Sequence, residues 1–381
     1  MCILDGIFLP KYRPVQFLRR EITMTLRALW SYDHIANATN IPLTALGAYT
    51  PNNAYNLLTG NPGTPILRAG ASNVVINNLV AGAGPGAFRG AAIGFGNSTS
   101  QAQALVVALA DIPLLQSGAT KAYLGFRTWS SAVPAPGTSS VFGTSSSATA
   151  VPTSLVNETQ LNRTVNVPQY VEVMLDIGNS QYSAWVDGLK IIDKAALATG
   201  FTYLVFGSNA VTSNACNFSL QDFYFIDADA TLPNTRLGPI QSALAAYTAV
   251  NAPNYTSSDG KSALLDFQTG YSGAPTPAPS QTNAPTNDPI TVSYQSAAPA
   301  GAGMIAVQYK MAASVAAQAS VTAQLNNGSA TKNLPNYSFA DLTMDYGRDL
   351  AGIQTTDPSG NPWNDARFNA TQLIVQPQSA T

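Results

Sequence analysis

The residue types that could do hydrolytic or metal chemistry are few in this chain, and their spacing limits what they could do. There is one histidine, His34, so any Ser-His-Asp or Cys-His mechanism would depend on it. It sits near Trp30 and Tyr32 in what reads as a first strand, where a structural role fits best. The chain has three glutamates, Glu21, Glu158 and Glu172. Glycosidases need two carboxylates facing one cleft, roughly 5–10 Å apart. None of the three glutamates has a second acid at the alternate-residue spacing that puts both on one strand face. Glu172 and Asp176 share a face but stand four residues apart, about 13 Å along an extended strand, which is too far. "DAD" at 227–229 does have same-face spacing, and Asp227 with Asp229 could ligate Ca²⁺ as carboxylate pairs do. The simpler reading is a strand ending in a polar turn. "GAGPGA" at 82–87 satisfies a loose glycine-rich dinucleotide pattern, but Pro85 sits inside it and no amphipathic helix follows, so it reads as a loop. Cys2 and Cys216 lie far apart, with neither a disulfide framework nor a metal spacing, and are expected to be free thiols. The residues therefore predict no catalytic, cofactor-binding or metal site, and no enzyme.

The elements that would position these residues are strands. "QYSAWVDGLKII" at 181–192 places an Asp-Gly pair between two alternating runs, the strongest short-range hairpin signal, because a type I′ turn needs φ > 0 at both central residues. Just before it, "YVEVMLDIG" at 170–178 puts Val171, Val173, Leu175 and Ile177 on one face and Glu172, Met174 and Asp176 on the other. With a turn at Gly178-Asn179, residues 171–192 read as a three-stranded meander whose apolar face points into a core. "NFSLQDFYFIDA" at 217–228 slips its apolar phase near Gln221-Asp222, which a β-bulge would explain. "SNVVINNLV" (72–80), "GAAIGFG" (90–96), "KAYLGFRTW" (121–129) and "FTYLVFG" (201–207) are further strands, while 104–110 is ambiguous between helix and strand. Many short strands separated by turn signals predict one two-sheet antiparallel sandwich over 30–228. "GPIQSALAAYTAV" (238–250) is the best helical candidate; β signals resume at "DPITVSYQS", 304–315 and 319–328.

Composition bounds the function. Charged residues are 10% of the chain, against roughly 25% in an average soluble protein, and amide, hydroxyl and small residues fill the gap. Such a surface suits a protein whose faces are covered by neighbours, since desolvating charge is costly. A net charge of −2 predicts no nucleic-acid partner. The longest apolar run, 104–115, is too short to span a bilayer and is broken by Asp111 and Pro113, so no membrane partner is expected. "MCILDGIFLP" makes a poor signal peptide.

The order of "LWSYD", "YSAWVDGLKI", "FSLQDFYFIDADA", "NTRLGPIQ" and "TDPSGNPWNDARFNATQLIVQ" (356–376) resembles a group of tailed-bacteriophage virion proteins with a concanavalin A-like (laminin G-like) jelly roll. The resemblance runs in order over 24–376. The chain departs from the group in its N-terminal arm and in a Pro/Thr-rich insertion near 271–289. The residue patterns and the resemblance together predict a mainly β chain with a concanavalin A-like jelly-roll β-sandwich (24–240) and a smaller β region (304–381), to which composition adds an N-terminal arm (1–23) and a connecting segment (241–303). The resemblance also implies a non-enzymatic structural component of a virion, assembled in the bacterial host cytoplasm, whose partners are other virion proteins and further copies of itself. The arm would anchor in another subunit through Leu4, Ile7, Phe8 and Leu9, with Arg13, Arg19 and Arg20 pairing across the interface; Met24 would be a natural start for the globular part. The alternative is a lectin-like module in which exposed aromatics such as Trp129 or Trp363 stack on a host-surface glycan.

Overall fold

We describe the chain from a computed structural model. The structure describes residues 2–9, 26–30, 39–42, 66–67, 73–81, 88–97, 103–109, 119–130, 140–147, 152–161, 167–208, 216–228, 236–252, 256–257, 282–283, 288–298, 303–311, 319–334, 337–339, 348–349 and 354–378. The chain divides into two compact units, one of residues 13–32 and 37–240, the other of residues 1–12, 33–36 and 241–381.

The first unit is an antiparallel β-sandwich of the jelly-roll type. Its nine-stranded sheet runs, in spatial order, Leu189–Ala196, Gln181–Val186, Gln169–Asp176, Lys121–Ser130, Cys216–Ala228, Phe88–Asn97, Asn73–Ala81 and Thr39–Pro42, with Leu26–Trp30 also paired to Cys216–Ala228. The five-stranded sheet runs Thr153–Asn157, Ser140–Ser145, Tyr203–Ser208, Gln103–Ala108, Ile66–Leu67, so the ambiguous 104–110 stretch is strand.

Alternation decides which face each strand buries. Val171, Val173 and Leu175 lie in register with Phe126, Leu124 and Ala122 on one side and with Val186, Ala184 and Tyr182 on the other, and all nine are buried. The five-stranded sheet meets them with Phe142 and Phe206. The Phe206 ring lies 5.2 Å from Phe126, 5.1 Å from Phe142 and 5.1 Å from Phe223, edge-on to the first and last. Aromatic rings from both sheets thus close one core. Ile177, expected on that face, is only half-buried: the strand ends at Asp176, and the Ile177 N–H turns away to the Thr120 carbonyl at 2.8 Å.

Two local devices foreseen in the sequence are present. Asp187 and Gly188 have φ of 48° and 88°, the type I′ signature, and Asp187 is held there by the Tyr170 N–H on its Oδ1 at 2.9 Å. In Cys216–Ala228 the register breaks between Gln221 and Tyr224, and Asp222 takes φ 50°. Aspartate tolerates that left-handed conformation better than most residues, and here its carboxylate ion-pairs with the buried Arg127.

The second unit is also β. Its six-stranded sheet orders Ala246–Asn251, Ile290–Gln295, Gln372–Gln378, Ala319–Asn326 and Thr331–Asn333, with Tyr337–Phe339 also on Ala319–Asn326; a four-stranded sheet orders Gln241–Leu244, Cys2–Leu9, Gly303–Met311 and Arg348–Asp349. The helix expected over 238–250 is not there: that stretch forms the strands Gln241–Leu244 and Ala246–Asn251. Alanine's helix preference is worth under about 1 kcal/mol per residue. Strand pairing with Ile290–Gln295 sets the Tyr247 ring 5.3 Å from Tyr294, on the core, and tertiary packing wins. The segment 241–303, read as a connection, therefore supplies strands to this unit. The stretch read as an assembly arm is likewise paired within its own chain at Cys2–Leu9, because its backbone groups find ladders on both sides. Arg13, Arg19, Arg20 and Met24 lie outside the described residues. No helix among the described residues is long and apolar enough to cross a membrane.

Because Phe206 meets Phe142 beside it and Phe126 and Phe223 across the sandwich, Phe206→Ala should cost about 3–5 kcal/mol by urea denaturation. A loss below about 1 kcal/mol would show that the two sheets do not close on this cluster.

Candidate functional site

Strand alternation that sends Val171 and Val173 inward sends Glu172 outward, yet Glu172 is 1% exposed. An ionised carboxylate taken out of water needs partners, and they come from two directions. The first is its own sheet. Lys190, Trp185, Glu172, Gly125 and Tyr224 lie opposite one another on five successive strands, making one row across the outer face. Gly125 is the gap in that row. A Cβ there would meet Tyr224 Cε1 at 2.3 Å and Tyr170 Oη at 2.5 Å. With no side chain in the way, the Tyr224 ring lies over the glycine and its hydroxyl donates to Glu172 Oε1 at 2.7 Å.

The second direction is the segment after the sandwich's long strand, Arg236–Ile240, which crosses this face as a strap. The Gly238 N–H donates to Glu172 Oε1 at 2.9 Å, and Arg236 Nη1 to Oε2 at 2.6 Å. The Leu237 N–H donates to Tyr224 Oη at 3.2 Å, while Tyr170 Oη donates to the Gly238 carbonyl at 2.6 Å. Gly238 has φ 76°, a conformation glycine takes without penalty. Arg236 also stacks on Trp185, 4.3 Å from the ring centroid, and Lys190 lies 5.4 Å from the same ring.

Burial sets the proton chemistry of the two phenols. Desolvation first, and then the nearby Glu172 charge, pushes the Tyr170 hydroxyl well above its ordinary value; desolvation first, then Tyr170 and Glu172, do the same to Tyr224. Both stay protonated and donate. Tyr170 also lies under the Arg127 guanidinium, 5.6 Å from its ring centroid.

Such a cluster holds structure and has no free base to offer. Both Glu172 oxygens are taken. Other acids are bound as well: Asp222 to Arg127, Asp176 to Asn179 at 3.0 Å and Lys121 at 3.6 Å, Asp193 to Lys190 at 2.9 Å, and Asp357 to the Asn361 N–H at 2.8 Å. Glu172 and Asp176, paired in thought by their shared face, thus serve separate local structures. Asp227 is buried opposite Ala122, inside the sheet rather than in a polar turn. His34, Glu21, Asp229 and the 82–87 loop lie outside the described residues. Among the described residues no group of three His, Cys, Asp or Glu side chains is placed to hold a metal ion.

The aromatics expected to meet sugar are placed otherwise. Trp363 is 4% exposed, its indole N–H donating to the Gln354 carbonyl at 2.8 Å and its ring 6.1 Å from Phe368, so it is a core residue of the second unit. Pairing the closing strand Gln372–Gln378 into the middle of its sheet pulls the preceding turn and Trp363 inward. Trp129 is half-buried, with its indole nitrogen enclosed. Trp185, which the sequence marked only as part of a hairpin, is half-buried on the outer face and flanked there by Arg236 and Lys190. The signals that could have found the cluster were the glycine interrupting "KAYLGFRTW" and the charged Arg-Leu-Gly after the last strand.

No protein-family model matches the chain, and no curated protein matches it. Solved structures similar to it include the cellulose-induced protein Cip1, at 9% identity and TM-score 0.29, with 40% of this chain and 84% of that one covered. They also include the binding domain of botulinum neurotoxin DC in complex with rat synaptotagmin II, at 9% identity and TM-score 0.31, covering 84% and 95%. A third is a botulinum neurotoxin type C structure whose title reports cell entry dependent on two ganglioside molecules, at 10% identity and TM-score 0.26, covering 76% and 85%.

Two measurements probe the cluster. Gly125→Ala forces a methyl into rings tied at both ends and should cost about 1–3 kcal/mol or more, whereas a neutral effect would mean the rings move freely. In alkaline titration, the raised phenols contribute stability that is complete below the ordinary tyrosine value of about 10 and is lost as pH rises beyond it. Tyr170→Phe/Tyr224→Phe should therefore unfold less steeply with pH above about 10 than the parent.

Proposed function

We propose that this chain is a non-enzymatic structural component of a bacteriophage virion that works through its surfaces. The observation that carries the reading is the use made of charge. In a chain with 10% charged residues, the described acids around the sandwich's outer face are spent on internal contacts, Glu172 foremost, and the chain's own strap covers that carboxylate. Among the described residues this arrangement favours binding through surfaces over chemistry at a free carboxylate. The order of the sequence motifs over 24–376, which resembles that of tailed-phage virion proteins, supports the virion setting.

A second reading, contact with an acidic host glycan, is favoured by one corner of the outer face. Trp185 lies there between Arg236, whose side chain is 31% exposed, and Lys190, 45% exposed. An aromatic ring flanked by cations suits a carboxylate-bearing sugar. Ganglioside headgroups are a natural first probe.

The deciding experiment is quantitative mass spectrometry of purified particles from cells expressing the chain. A fixed, stoichiometric copy number after high-salt washing is expected, and absence from washed particles overturns the virion reading. Sialylated oligosaccharide binding by the purified protein, lost in Trp185→Ala, would move the assignment to the glycan reading.

A further inference from the structure

The loop that joins Ala319–Asn326 to Thr331–Asn333 contains Asn327-Gly328, a pair with a chemistry of its own. In an open chain the Gly328 nitrogen can attack the Asn327 side-chain carbon, Cγ. A bond forms between that nitrogen and Cγ, the bond from Cγ to Nδ2 breaks, and ammonia leaves carrying the proton that the Gly328 nitrogen gives up. Water then opens the resulting cyclic imide at either carbonyl, leaving aspartate or isoaspartate. Glycine favours the attack because no side chain shields its nitrogen.

Both reacting groups are held in the folded chain. The nucleophile's N–H donates to Asn326 Oδ1 at 2.7 Å. The electrophile is fixed at both ends of its amide: Oδ1 accepts from the Ser329 N–H at 3.1 Å and the Ala330 N–H at 2.8 Å, and Nδ2 donates to Ser359 Oγ at 2.8 Å. The backbone adds a fifth tie, the Asn327 N–H to the Ala330 carbonyl at 3.2 Å. Ser359 belongs to a different loop, the Asp357–Gly360 turn, itself closed by the Gly360 N–H on the Asp357 carbonyl at 3.0 Å. Leaving-group side and nucleophile are therefore secured by two loops that come together only when the closing stretch, 356–376, is in place.

We infer that Asn327-Gly328 is a fold-gated deamidation site: silent while these two loops are engaged, and converted irreversibly to an acid when the second unit opens. The conversion adds one negative charge to a chain whose formal net charge is −2, and so marks molecules whose second unit has been open. In an assembled particle such a mark would report age or damage.

The test follows the pair by peptide-mapping mass spectrometry in the full-length protein, kept in mildly alkaline buffer with and without denaturing urea. Loss of several cooperative hydrogen bonds must precede reaction, so conversion in the folded protein should be on the order of a hundredfold slower than in urea. Asn326→Ala, which frees the nucleophile's N–H, and Ser359→Ala, which frees the leaving amide, should each speed conversion in the folded protein by about tenfold at most. Equal rates in folded and unfolded chains overturn the inference. So does the lack of any acceleration in both variants, once their circular dichroism shows an intact fold.

Discussion

A carboxylate with no water around it is the constraint on which the sandwich's outer face is organised. The alternation that builds the core turns Glu172 to the opposite face, where the strap covers it, and a buried charge left unpaired costs several kcal/mol. The chain meets that cost with three donors of different origin: a phenol from the same sheet, and a backbone N–H and a guanidinium from the strap. Each imposes a condition on a distant position. The phenol requires a residue without a side chain at Gly125, the backbone donor requires the turn at Gly238, and the guanidinium brings Trp185 under Arg236.

With the strap in place, the central strand Gln169–Asp176 is buried on both faces, as central strands of covered sheets are. That is why the sandwich extends past its last strand to Ile240, which is fully buried, and why the boundary between the two units falls immediately after it. The ion pair of Arg127 with Asp222 continues the same polar layer beside Tyr170, so the bulge in the long strand and the strap are neighbours in one network. Networks of this kind fix a register and a geometry more than they add net stability.

This economy of charge bears on function. Catalysis by carboxylates needs one acid held ionised and another held protonated near a substrate. Among the described residues Glu172 and Asp222 are donors' targets within the fold, and the phenols of Tyr170 and Tyr224 beside them are pushed above their ordinary value by burial. On the described outer face, the strand next to the sheet's edge offers a tryptophan flanked by two cations.

Much of the architecture was legible in the residues. Period-two alternation at 170–178, the Asp-Gly pair at 187–188 and the phase slip at 221–222 each became the strand, turn and bulge they signal, because each is decided within a few residues by sterics and backbone φ. Local preference misled where a distant partner outweighed it. The Ala-rich stretch from Gln241 to Asn251 is strand because Cys2–Leu9 and Ile290–Gln295 pair with its two halves, and Trp363 is core because the closing strand enters the middle of its sheet. The cluster around Glu172 left only faint marks in the sequence, a glycine inside a strand and an Arg-Leu-Gly after the last one. Glu172, Gly125, Tyr224 and Arg236 are far apart in sequence, and no spacing rule connects them; only the sheet register that aligns three strands, and a strap that folds back over them, puts one carboxylate within reach of all its donors.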